Sequence, residues 1–317
     1  MTAIGIDVGG TKIAGGLVDE DGRVLATGRR RSPASDVGAI SDTIAGLVEE
    51  LSDAAHDEVV AVGVAAAGFV DRDRDTLVFA PNLAWRDVPL RQEMHDRLGL
   101  PVVLENDANA AAWGEFRFGA AADADDLLLL TVGTGVGGGI VQDGALLRGA
   151  RGFGAEVGHV QVVPDGRPCP CGVNGCLEQY ASGSALVTGA RARVAAGEAG
   201  SAEVLSGLTV GEALDGPAVT ALAHAGNPLA HAAFDDLGHW LGVGAAIISA
   251  VLDPSVVVIG GGVVEAGDLL LDPTRRALDA HLTASSHRPP IEVRAATLGN
   301  DAGVVGAADL AARSVLG

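Results

Sequence analysis

The chain has 317 residues, of which 48% are hydrophobic and 46 are glycine, and it carries a formal net charge of −20. The length predicts two domains, because a single hydrophobic core stops growing beyond about 250–300 residues, and the acidic charge excludes non-specific binding to nucleic-acid phosphates. No apolar run approaches the roughly 20 residues that cross a bilayer, and the N-terminal residues MTAIGIDVGG lack the basic and apolar regions of a signal peptide.

The first 120 or so residues alternate short apolar runs with turns and helical patterns. Strands are predicted at 4–8, 13–18, 23–28, 59–64 and 102–104. Helices are predicted at 37–55, 90–98 and 108–116. Residues 65–89 contain Gly68, Pro81 and Pro89, and they are predicted to form a loop.

The pattern of strand, glycine-rich turn and strand begins again at 127–132, where GTGVGGG precedes a short strand at 140–141. This repetition indicates a weak internal duplication. Residues 184–252 are predicted to be mostly helical, with one long helix at 228–252. The last elements are predicted as a strand at 256–259, a helix at 267–281, a strand at 291–295 and a helix at 303–313. Alternation of strands and helices indicates the α/β class.

Three glycine-rich segments follow apolar strands, at residues 7–12, 133–139 and 260–262. Glycine lets the backbone approach a ligand and direct successive N–H groups at phosphate oxygens. None of the three fits the Walker A pattern or the dinucleotide fingerprint. Each alone is equally consistent with a plain hairpin turn, but their repetition at strand ends favours phosphate binding. Lys12, in the first segment, is the only lysine of the chain.

The stretch Glu105-Asn106-Asp107 ends one predicted strand and precedes a predicted helix. Asn and Asp are common helix N-caps, so ordinary capping explains this stretch as well as a functional role does. A carboxylate at the C-terminal edge of a parallel strand is also where α/β folds place their chemistry. Both interpretations stay open on these residues alone.

The three cysteines of the chain all lie within eight positions, at Cys169, Cys171 and Cys176. Because three cysteines cannot all pair, and no signal peptide is apparent, the sequence favours a reducing cytosol. Structural zinc often takes three Cys and one His, and His159, ten residues upstream, is the natural fourth ligand. Buried free thiols are the alternative interpretation.

Together these segments resemble the ROK family of sugar kinases and repressors, over essentially the whole chain. The matching segments are IGIDVGGTK, LENDANAAAWGE, TVGTGVGGGIV, EVGHV with CPCGVNGCLE, and VVIGGGV. The most specific of them is CPCGVNGCLE, which resembles the zinc motif of the family. Many members have Gly before the Glu of EVGHV, where this chain has Ala155; in this it is similar to a subset of bacterial ATP-dependent glucokinases.

The resemblance implies an α/β fold of the actin-like (ribonuclease H-like) type, with two domains and an interdomain cleft that holds ATP. We expect a small N-terminal domain of residues 1–117 plus 303–317, and a larger C-terminal domain of residues 118–302 that carries the zinc loop. The resemblance also implies phosphorylation of glucose at its 6-hydroxyl by ATP with Mg²⁺, a structural Zn²⁺, and a cytoplasmic homodimer or homotetramer.

The resemblance assigns roles to individual residues. Asp107 is the implied general base for the 6-hydroxyl. The implied sugar contacts are Gly68, Asn106, Asp107, Glu156, His159 and Glu178. The implied contacts to the nucleotide and Mg²⁺ are Asp7, Gly9, Gly10, Thr11, Lys12, Thr134, Gly135, Gly261 and Gly262. The implied zinc ligands are His159, Cys169, Cys171 and Cys176.

Other functions are compatible with parts of this pattern. A kinase for another hexose, such as N-acetylglucosamine or N-acetylmannosamine, would share the same motifs, and polyphosphate could replace ATP as the donor. A sugar-responsive repressor is disfavoured, because repressors of the family place a helix-turn-helix domain before the first glycine loop, which here begins at residue 7, and because the charge is acidic. An inactive sugar-binding module is disfavoured by the intact Asp107 and glycine loops.

Overall fold

A computed structural model describes residues 1–207 and 214–316 of the chain. The chain forms two compact units. The first unit comprises Met1–Leu127, Gly139–Ala155 and the chain from Thr297 onward, and the second comprises Leu128–Gly138 and Glu156–Ala296. The domain bounds expected from the sequence, 1–117 with 303–317 and 118–302, stay a prediction.

Groups of strands alternate with helices along the described chain, as expected for the α/β class. The strands are β1 (Thr2–Val8), β2 (Lys12–Asp19), β3 (Val24–Arg31), β4 (Val59–Ala66), β5 (Phe69–Val70), β6 (Leu77–Phe79), β7 (Arg86–Val88), β8 (Val102–Asn106), β9 (Leu127–Val132), β10 (Val136–Gln142), β11 (Ala145–Leu146), β12 (Val256–Gly260) and β13 (Glu292–Ala295). The helices are α1 (Val37–Asp53), α2 (Leu90–Leu98), α3 (Asp107–Phe118), α4 (Glu178–Ala181), α5 (Gly183–Ala195), α6 (Ser201–Gly207), α7 (Gly216–His224), α8 (Pro228–Leu252), α9 (Asp268–His281) and α10 (Ala302–Leu316).

The first sheet has the strand order β3-β2-β1-β4-β8. β1 runs antiparallel to β2 and parallel to β4, and β4 runs parallel to β8. Side chains alternate between the two faces of a strand; Ile4 and Ile6 of β1 pack with residues of α1, while Ala3 packs with residues of α10. Because both faces are covered, the parallel strands read as continuous apolar runs. Their carboxyl ends lie along one edge of the sheet and carry Asp7 and Asn106.

Helix α10 lies unusually close to this sheet because two strand positions are glycine. A Cβ on Gly5 would overlap the carbonyl group of Val304, and a Cβ on Gly63 would overlap that of Ala307. The close approach brings the start of α10 to the end of β1, so that a Cβ on Gly303 would lie 3.5 Å from the Asp7 Cγ.

The second sheet has the strand order β11-β10-β9-β12-β13. β10 pairs antiparallel with β11, and β12 pairs parallel with β13. The order of this sheet repeats that of the first, with three strands of a meander followed by two strands that return after helices. The repeated order agrees with the internal duplication that the sequence indicates.

Two sequence-based expectations are wrong in detail. Residues 65–89 are not only loop, since β5, β6 and β7 form a three-stranded antiparallel sheet there. Strands of two or three residues are too short to show a clear period-2 pattern. The glycines of GTGVGGG do not all form a turn, because Gly137, Gly138 and Gly139 lie within β10. A Cβ on Gly139 would come 2.9 Å from the Ala108 carbonyl oxygen, so close packing is the reason for glycine at that position.

The helical region is confirmed where it is described. α8 has the predicted bounds of 228–252 and begins at the N-cap Asn227, whose side chain accepts a hydrogen bond from the Ala230 amide. Residues 208–213 of the predicted helical stretch lie outside the described residues. Among the helices in residues 1–207 and 214–316, none has both the length and the apolar character needed to span a bilayer.

Candidate functional site

The first glycine-rich turn follows β1 and lies next to Asp7. The Gly9 amide closes the turn by donating to the Lys12 carbonyl at 3.0 Å. The amides of Gly10 and Thr11 have no hydrogen-bond partner in the described part of the chain. Two successive free N–H groups of this kind form a concave site for an anion.

Asp7 has an altered acidity in this setting. Burial, followed by the negative charge of Asp107, raises the pKa of Asp7 from 3.8 to about 6, and the charge of Lys12 opposes the change. The strand register agrees with this coupling, because Asp7 of β1 and Glu105 of β8 both pair with Ala65 of β4, so that Asp7 and Asp107 lie at the same edge of the sheet. A cation beside Asp7 would stabilise its ionised form.

The same turn lines an open cavity of about 570 Å³. The other lining residues are Arg31 and residues 32–35, and the Ser32 amide donates to the Thr11 carbonyl at 3.0 Å. Arg31 is exposed, lies opposite Lys12 in the β2–β3 ladder and has no ion-pair partner in residues 1–207 and 214–316. An unpaired guanidinium beside two free amides favours an anionic ligand.

Asp107 is the first residue of α3, directly after the end of β8. The preceding residue, Asn106, is the N-cap, and its Oδ1 accepts a hydrogen bond from the Asn109 amide at 3.0 Å. Burial raises the pKa of the Asp107 carboxyl above its ordinary value of 3.8, and the hydrogen bond from the Ala108 amide opposes that shift. A carboxylate whose pKa is raised toward neutral pH is a better proton acceptor than an ordinary aspartate.

Asn106 also contacts another predicted sugar residue. Its Nδ2 donates to the Gly68 carbonyl oxygen at 3.1 Å. A Cβ on Gly68 would lie 2.6 Å from the Phe79 carbonyl oxygen, so this position requires glycine. The structure therefore brings Gly68, Asn106 and Asp107 together at the carboxyl edge of the first sheet.

Glu105 holds the backbone at the start of α3. Its Oε1 accepts hydrogen bonds from the Asn106 amide at 3.1 Å and from Asn109 Nδ2 at 3.2 Å. Its Oε2 accepts from Arg148 Nε at 2.7 Å. At the other end of α3, the fully buried Glu115 accepts hydrogen bonds from the amides of Thr297 and Leu298. Both ends of the helix that carries Asp107 are thus fixed by buried carboxylates.

The second glycine-rich turn, between β9 and β10, contacts Glu178 within the second unit. Glu178 Oε2 accepts a hydrogen bond from the Val136 amide at 3.0 Å. A Cβ on Gly135 would lie 2.2 Å from the same oxygen, so this position requires glycine. Ser184 Oγ donates to the Thr134 carbonyl at 2.7 Å. The amides of Thr134 and Gly135 have no hydrogen-bond partner in the described residues, which repeats the arrangement of the first turn.

The third glycine segment ends β12 and begins a short 3₁₀ helix, Gly262–Ala266. Gly261 has a φ of +82°, in the region that favours glycine, and a Cβ there would overlap the backbone of Val132. Gly261 therefore lies beside β9, the strand that leads to the second turn, and Gly262 follows it at the start of the 3₁₀ helix.

Glu156 and His159 lie at the two ends of another short 3₁₀ helix, Val157–His159, where the His159 amide donates to the Glu156 carbonyl at 3.0 Å. The two residues therefore belong to the same short helical turn. Glu156 is a predicted sugar contact, and His159 is predicted both as a sugar contact and as a zinc ligand.

The four predicted zinc ligands meet in the second unit. One ligand atom from each of His159, Cys169, Cys171 and Cys176 can be chosen so that all lie within 4.8 Å of one another. The distance between Cys169 Sγ and His159 Nδ1 is 3.7 Å, and that between Cys171 Sγ and Cys176 Sγ is 3.6 Å. Burial, followed by the neighbouring thiols, raises the pKa of the Cys176 thiol to about 12.

These distances fit zinc. In a tetrahedral site with Zn–S bonds of about 2.3 Å, neighbouring ligand atoms lie about 3.8 Å apart. Three sulfurs and one imidazole nitrogen complete the coordination, so no position is open for a substrate. Two backbone hydrogen bonds hold the loop in this geometry: the Gly172 amide donates to the Cys169 carbonyl at 3.0 Å, and the Leu177 amide donates to the Val160 carbonyl at 2.9 Å.

Comparison with known proteins shows the family to which this chain belongs. The model of the ROK family matches residues 3–314. The chain belongs to the ROK family. A glucokinase of Streptomyces coelicolor is 48% identical over 310 residues, covering 97% of this chain and 96% of that protein. A crystal structure of a ROK-family glucokinase from Streptomyces griseus, in complex with glucose and AMPPNP, has a TM-score of 0.88 at 47% identity and covers 99% of this chain and all of that one.

A ROK hexokinase from Thermus thermophilus is similar over 100% of this chain and 99% of its own, with a TM-score of 0.81 at 35% identity. The family resemblance and the actin-like α/β fold expected from the sequence are confirmed by these matches. The ROK-family chain departs from the common pattern at Ala155, which has a φ of +67°. That backbone conformation favours glycine, so Ala155 is a position where Gly would fit this chain without strain.

Some contacts of the site are not apparent in the sequence. Arg31 beside the first turn and Arg148 on Glu105 belong to none of the motifs that identify this ROK-family chain. A prediction of the antiparallel pairing of β2 with β3 could have found Arg31, because that pairing places Arg31 opposite Lys12 and therefore next to the first turn. Arg148 lies 43 residues from Glu105, and no local pattern predicts their contact.

Proposed function

We propose that this ROK-family chain is an ATP-dependent glucokinase, which transfers the γ-phosphoryl group of ATP to the 6-hydroxyl of glucose. The observation that carries the proposal is its 47% identity over 99% of the chain to the Streptomyces griseus glucokinase, whose structure contains glucose and AMPPNP. Asp107 at the start of α3, which is half-buried and has a raised pKa, supplies the proton acceptor that such a reaction needs.

In the proposed step, the Asp107 carboxylate accepts the proton of the 6-hydroxyl as the hydroxyl oxygen attacks the γ-phosphorus. A new O–P bond forms, the bond from the γ-phosphorus to the β–γ bridging oxygen breaks, and ADP leaves. Phosphoryl transfer depends mainly on positioning and charge stabilisation. The hydrogen bonds of Glu105 and Asn106 at the start of α3 provide the positioning of Asp107.

The proposed sugar contacts of the first unit are Gly68, Asn106 and Asp107, and those of the second unit are Glu156, His159 and Glu178. Sugar hydroxyls both donate and accept hydrogen bonds, so carboxylates, amides and an imidazole suit them. Glu178 is already oriented by the Val136 amide, and His159 presents its Nδ1 to Cys169, which leaves Nε2 for a sugar oxygen.

The proposed nucleotide contacts are backbone groups of the glycine-rich segments. The free amides of Gly10, Thr11, Thr134 and Gly135 would bind phosphate oxygens, and Gly261 and Gly262 would border the adenosine. Gly9 and Lys12 shape the first turn, because the Gly9 amide donates a hydrogen bond to the Lys12 carbonyl oxygen. When bound, Mg²⁺ supplies charge stabilisation to the phosphates, and Asp7 is the side chain that would hold it through water.

The zinc quartet is proposed to act as a structural brace. A closed site at His159, Cys169, Cys171 and Cys176 fixes the His159 ring and the start of α4, where Glu178 lies. Thiolate ligands and three free cysteines fit the reducing cytoplasm that we propose as the location. We also propose that the chain assembles as a homodimer or homotetramer.

A coupled assay with a panel of sugars and donors tests the function. We expect glucose with MgATP to give the highest kcat/KM among glucose, mannose, N-acetylglucosamine and N-acetylmannosamine, because a pocket that hydrogen-bonds a 2-hydroxyl rejects an acetamide strongly. Polyphosphate is tested as the alternative donor. Faster turnover of an N-acetylhexosamine than of glucose would overturn the assignment of substrate while keeping the assignment of reaction.

A further inference from the structure

A second cavity of the first unit has a volume of about 460 Å³. It is lined by the turn at Asp73 and Arg74, by Arg91 and His95 of α2, by the start of β8, and by the end of α10. The start of β8 is the end opposite to Asn106 and Asp107, so the proposed sugar contacts do not line this cavity. Its size lies in the range of about 300–1,000 Å³ that small-molecule sites occupy.

Arg74 is the unusual residue of this cavity. It is half-buried, and its guanidinium has no ion pair or hydrogen bond with any residue in 1–207 and 214–316. Burial, followed by the charge of Arg148, lowers the pKa of Arg74, and the charge of Arg91 contributes in the same direction while Glu105 opposes it. The two arginines near this half-buried guanidinium outnumber the one carboxylate, Glu105, so a further anion would stabilise its charged form.

Two neighbours supply further hydrogen-bond donors. Arg91 Nε donates to Asp75, which leaves its two terminal amino groups available. His95 Nδ1 lies 2.8 Å from the Leu100 carbonyl oxygen, so Nδ1 carries the proton and Nε2 is available to a ligand. Asp73 is the acidic residue of the lining and is exposed, so it can turn to solvent.

The rest of the lining is apolar or uncharged. Pro101, Val102 and Val103 provide the apolar part, and Gln92 and Ser314 provide neutral hydrogen-bonding groups. This composition suits a small organic molecule with one strongly charged end, because the charged end meets Arg74 and Arg91 while the body packs on β8. The strong negative charge of the whole chain repels free anions, so a cationic cluster of this kind must act locally.

We propose that this cavity binds a small phosphate monoester, with Arg74 and Arg91 on the phosphate oxygens. A guanidinium presents paired N–H donors that match two phosphate oxygens, and two guanidinium groups match a dianion. His95 Nε2, which the Leu100 carbonyl leaves available, provides a further contact to the ligand. The site lies within the first unit, and none of the proposed sugar or nucleotide contacts lines it.

Titration calorimetry on the full chain tests the proposal. The protein is saturated with glucose and AMPPNP, so that the proposed kinase site is occupied, and is then titrated with glycerol 3-phosphate, glucose 1-phosphate, inorganic phosphate and succinate. We expect one equivalent of each phosphate monoester to bind, with weaker binding of inorganic phosphate and none of succinate. Saturable binding of succinate with an equal or lower Kd would overturn the phosphate assignment.

Three variants locate the binding. Arg74→Gln is expected to raise the Kd of glycerol 3-phosphate about tenfold or more, because a charge-assisted hydrogen bond is lost. Gln92→Glu keeps every arginine and is expected to weaken binding by placing a carboxylate in the same lining. Arg72→Gln removes the same charge from an exposed position two residues away and is expected to leave the Kd within about twofold.

Two results would overturn the proposed phosphate site. Equal effects of Arg74→Gln and Arg72→Gln would show a general charge effect and overturn the site. No saturable binding of either monoester at millimolar concentrations would also overturn it. If Arg74→Gln lowers the thermal stability of the chain, Gln92→Glu carries the test alone, because Gln92 is exposed and donates only to the exposed Asp96 among the described residues, so the substitution alters no packed side chain.

Discussion

Arg148 donates its Nε–H to Glu105 Oε2 at 2.7 Å, and the Glu105 side chain is only 3% exposed. Glu105 uses its other oxygen to hold the Asn106 amide, so the ion pair connects the segment after β11 to the start of α3. A buried carboxylate of this kind depends on its partner, because an unpaired charge in a low-dielectric environment is costly. The pair therefore links the position of Asp107 to a residue outside every recognised motif.

Arg148→Gln is the first prediction. Loss of the guanidinium leaves Glu105 without its charged partner, and we expect the free energy of unfolding to fall by about 1–3 kcal/mol. We also expect kcat for glucose phosphorylation to fall more than KM for glucose rises, since Asp107 is positioned through Glu105. Chemical denaturation and steady-state kinetics measure the two effects.

Arg151→Gln is the matched control for Arg148→Gln. Arg151 is exposed, lies three residues further on, and has no ion-pair partner in the described residues, so the same charge is removed without touching Glu105. We expect near-wild-type stability and kcat. Equal behaviour of the two variants would show that the ion pair does not position α3.

Asp107→Asn is the second prediction. We expect kcat to fall about 10²-fold or more, while glucose still binds, because Asn cannot accept the proton. The acid limb of kcat/KM in the unaltered enzyme should lie above the ordinary aspartate pKa of 3.8, since burial raises the pKa of Asp107. A near-wild-type kcat would remove Asp107 from the role of base.

The same variant has a predicted effect on stability with a definite sign. Because the folded-state pKa of Asp107 is raised, folding favours the protonated form, so the contribution of this group to stability is present at low pH and is lost as pH rises through the folded pKa. We therefore expect Asp107→Asn to be more stable than the parent chain at pH 8, with a difference that shrinks toward pH 4. Melting temperatures across that pH range measure it, and a constant difference would contradict the pKa shift.

Arg31→Gln is the third prediction. Arg31 lines the cavity of the first glycine turn and has no ion-pair partner in residues 1–207 and 214–316, so we expect it to contact the phosphates of ATP. Its loss should raise KM for ATP roughly three- to tenfold and leave KM for glucose almost unchanged. Arg29→Gln is the control, because Arg29 lies two residues earlier on the same face of β3 but does not line the cavity. An equal rise in both variants would indicate only a general effect of charge.

The parts of the fold that depend on local pattern were predictable from the sequence. The bounds of α8 follow from its apolar spacing and the Asn-Pro start, and the zinc quartet follows from the ligand preference of zinc. Glycine-rich segments also indicated the two turns whose amides are free. In each of these cases the signal and the structure lie in the same short stretch of chain.

The parts that depend on distant contacts were not predictable. The contact of Arg148 with Glu105 depends on the path of the chain after β11, and the approach of α10 to Gly5 and Gly63 depends on packing across the sheet. Local pattern also led to a wrong prediction for the Gly137–Gly139 segment. Its glycines look like a turn, but Gly139 is required because α3 packs against β10.

Cys171→Ala is the last prediction. The purified protein should contain about one zinc per chain, held by His159 and three thiolates. Cys171 is the exposed ligand, so its replacement removes a donor with little loss of packing. We expect the variant to lose zinc and to unfold at a lower temperature, since structural zinc contributes to folding free energy. We also expect KM for glucose to rise much more than KM for ATP, because the loop that orients His159 and Glu178 must then be ordered by the sugar.

Val173→Ala is the control for Cys171→Ala. Val173 is 49% exposed in the same loop and offers no ligand atom, so this variant should keep its zinc, its melting temperature and both KM values. Elemental analysis, thermal melts and kinetics give the measurements. Protein prepared without chelators that contains no zinc, or a Cys171→Ala variant that raises both KM values alike, would leave the three cysteines as free thiols beside His159.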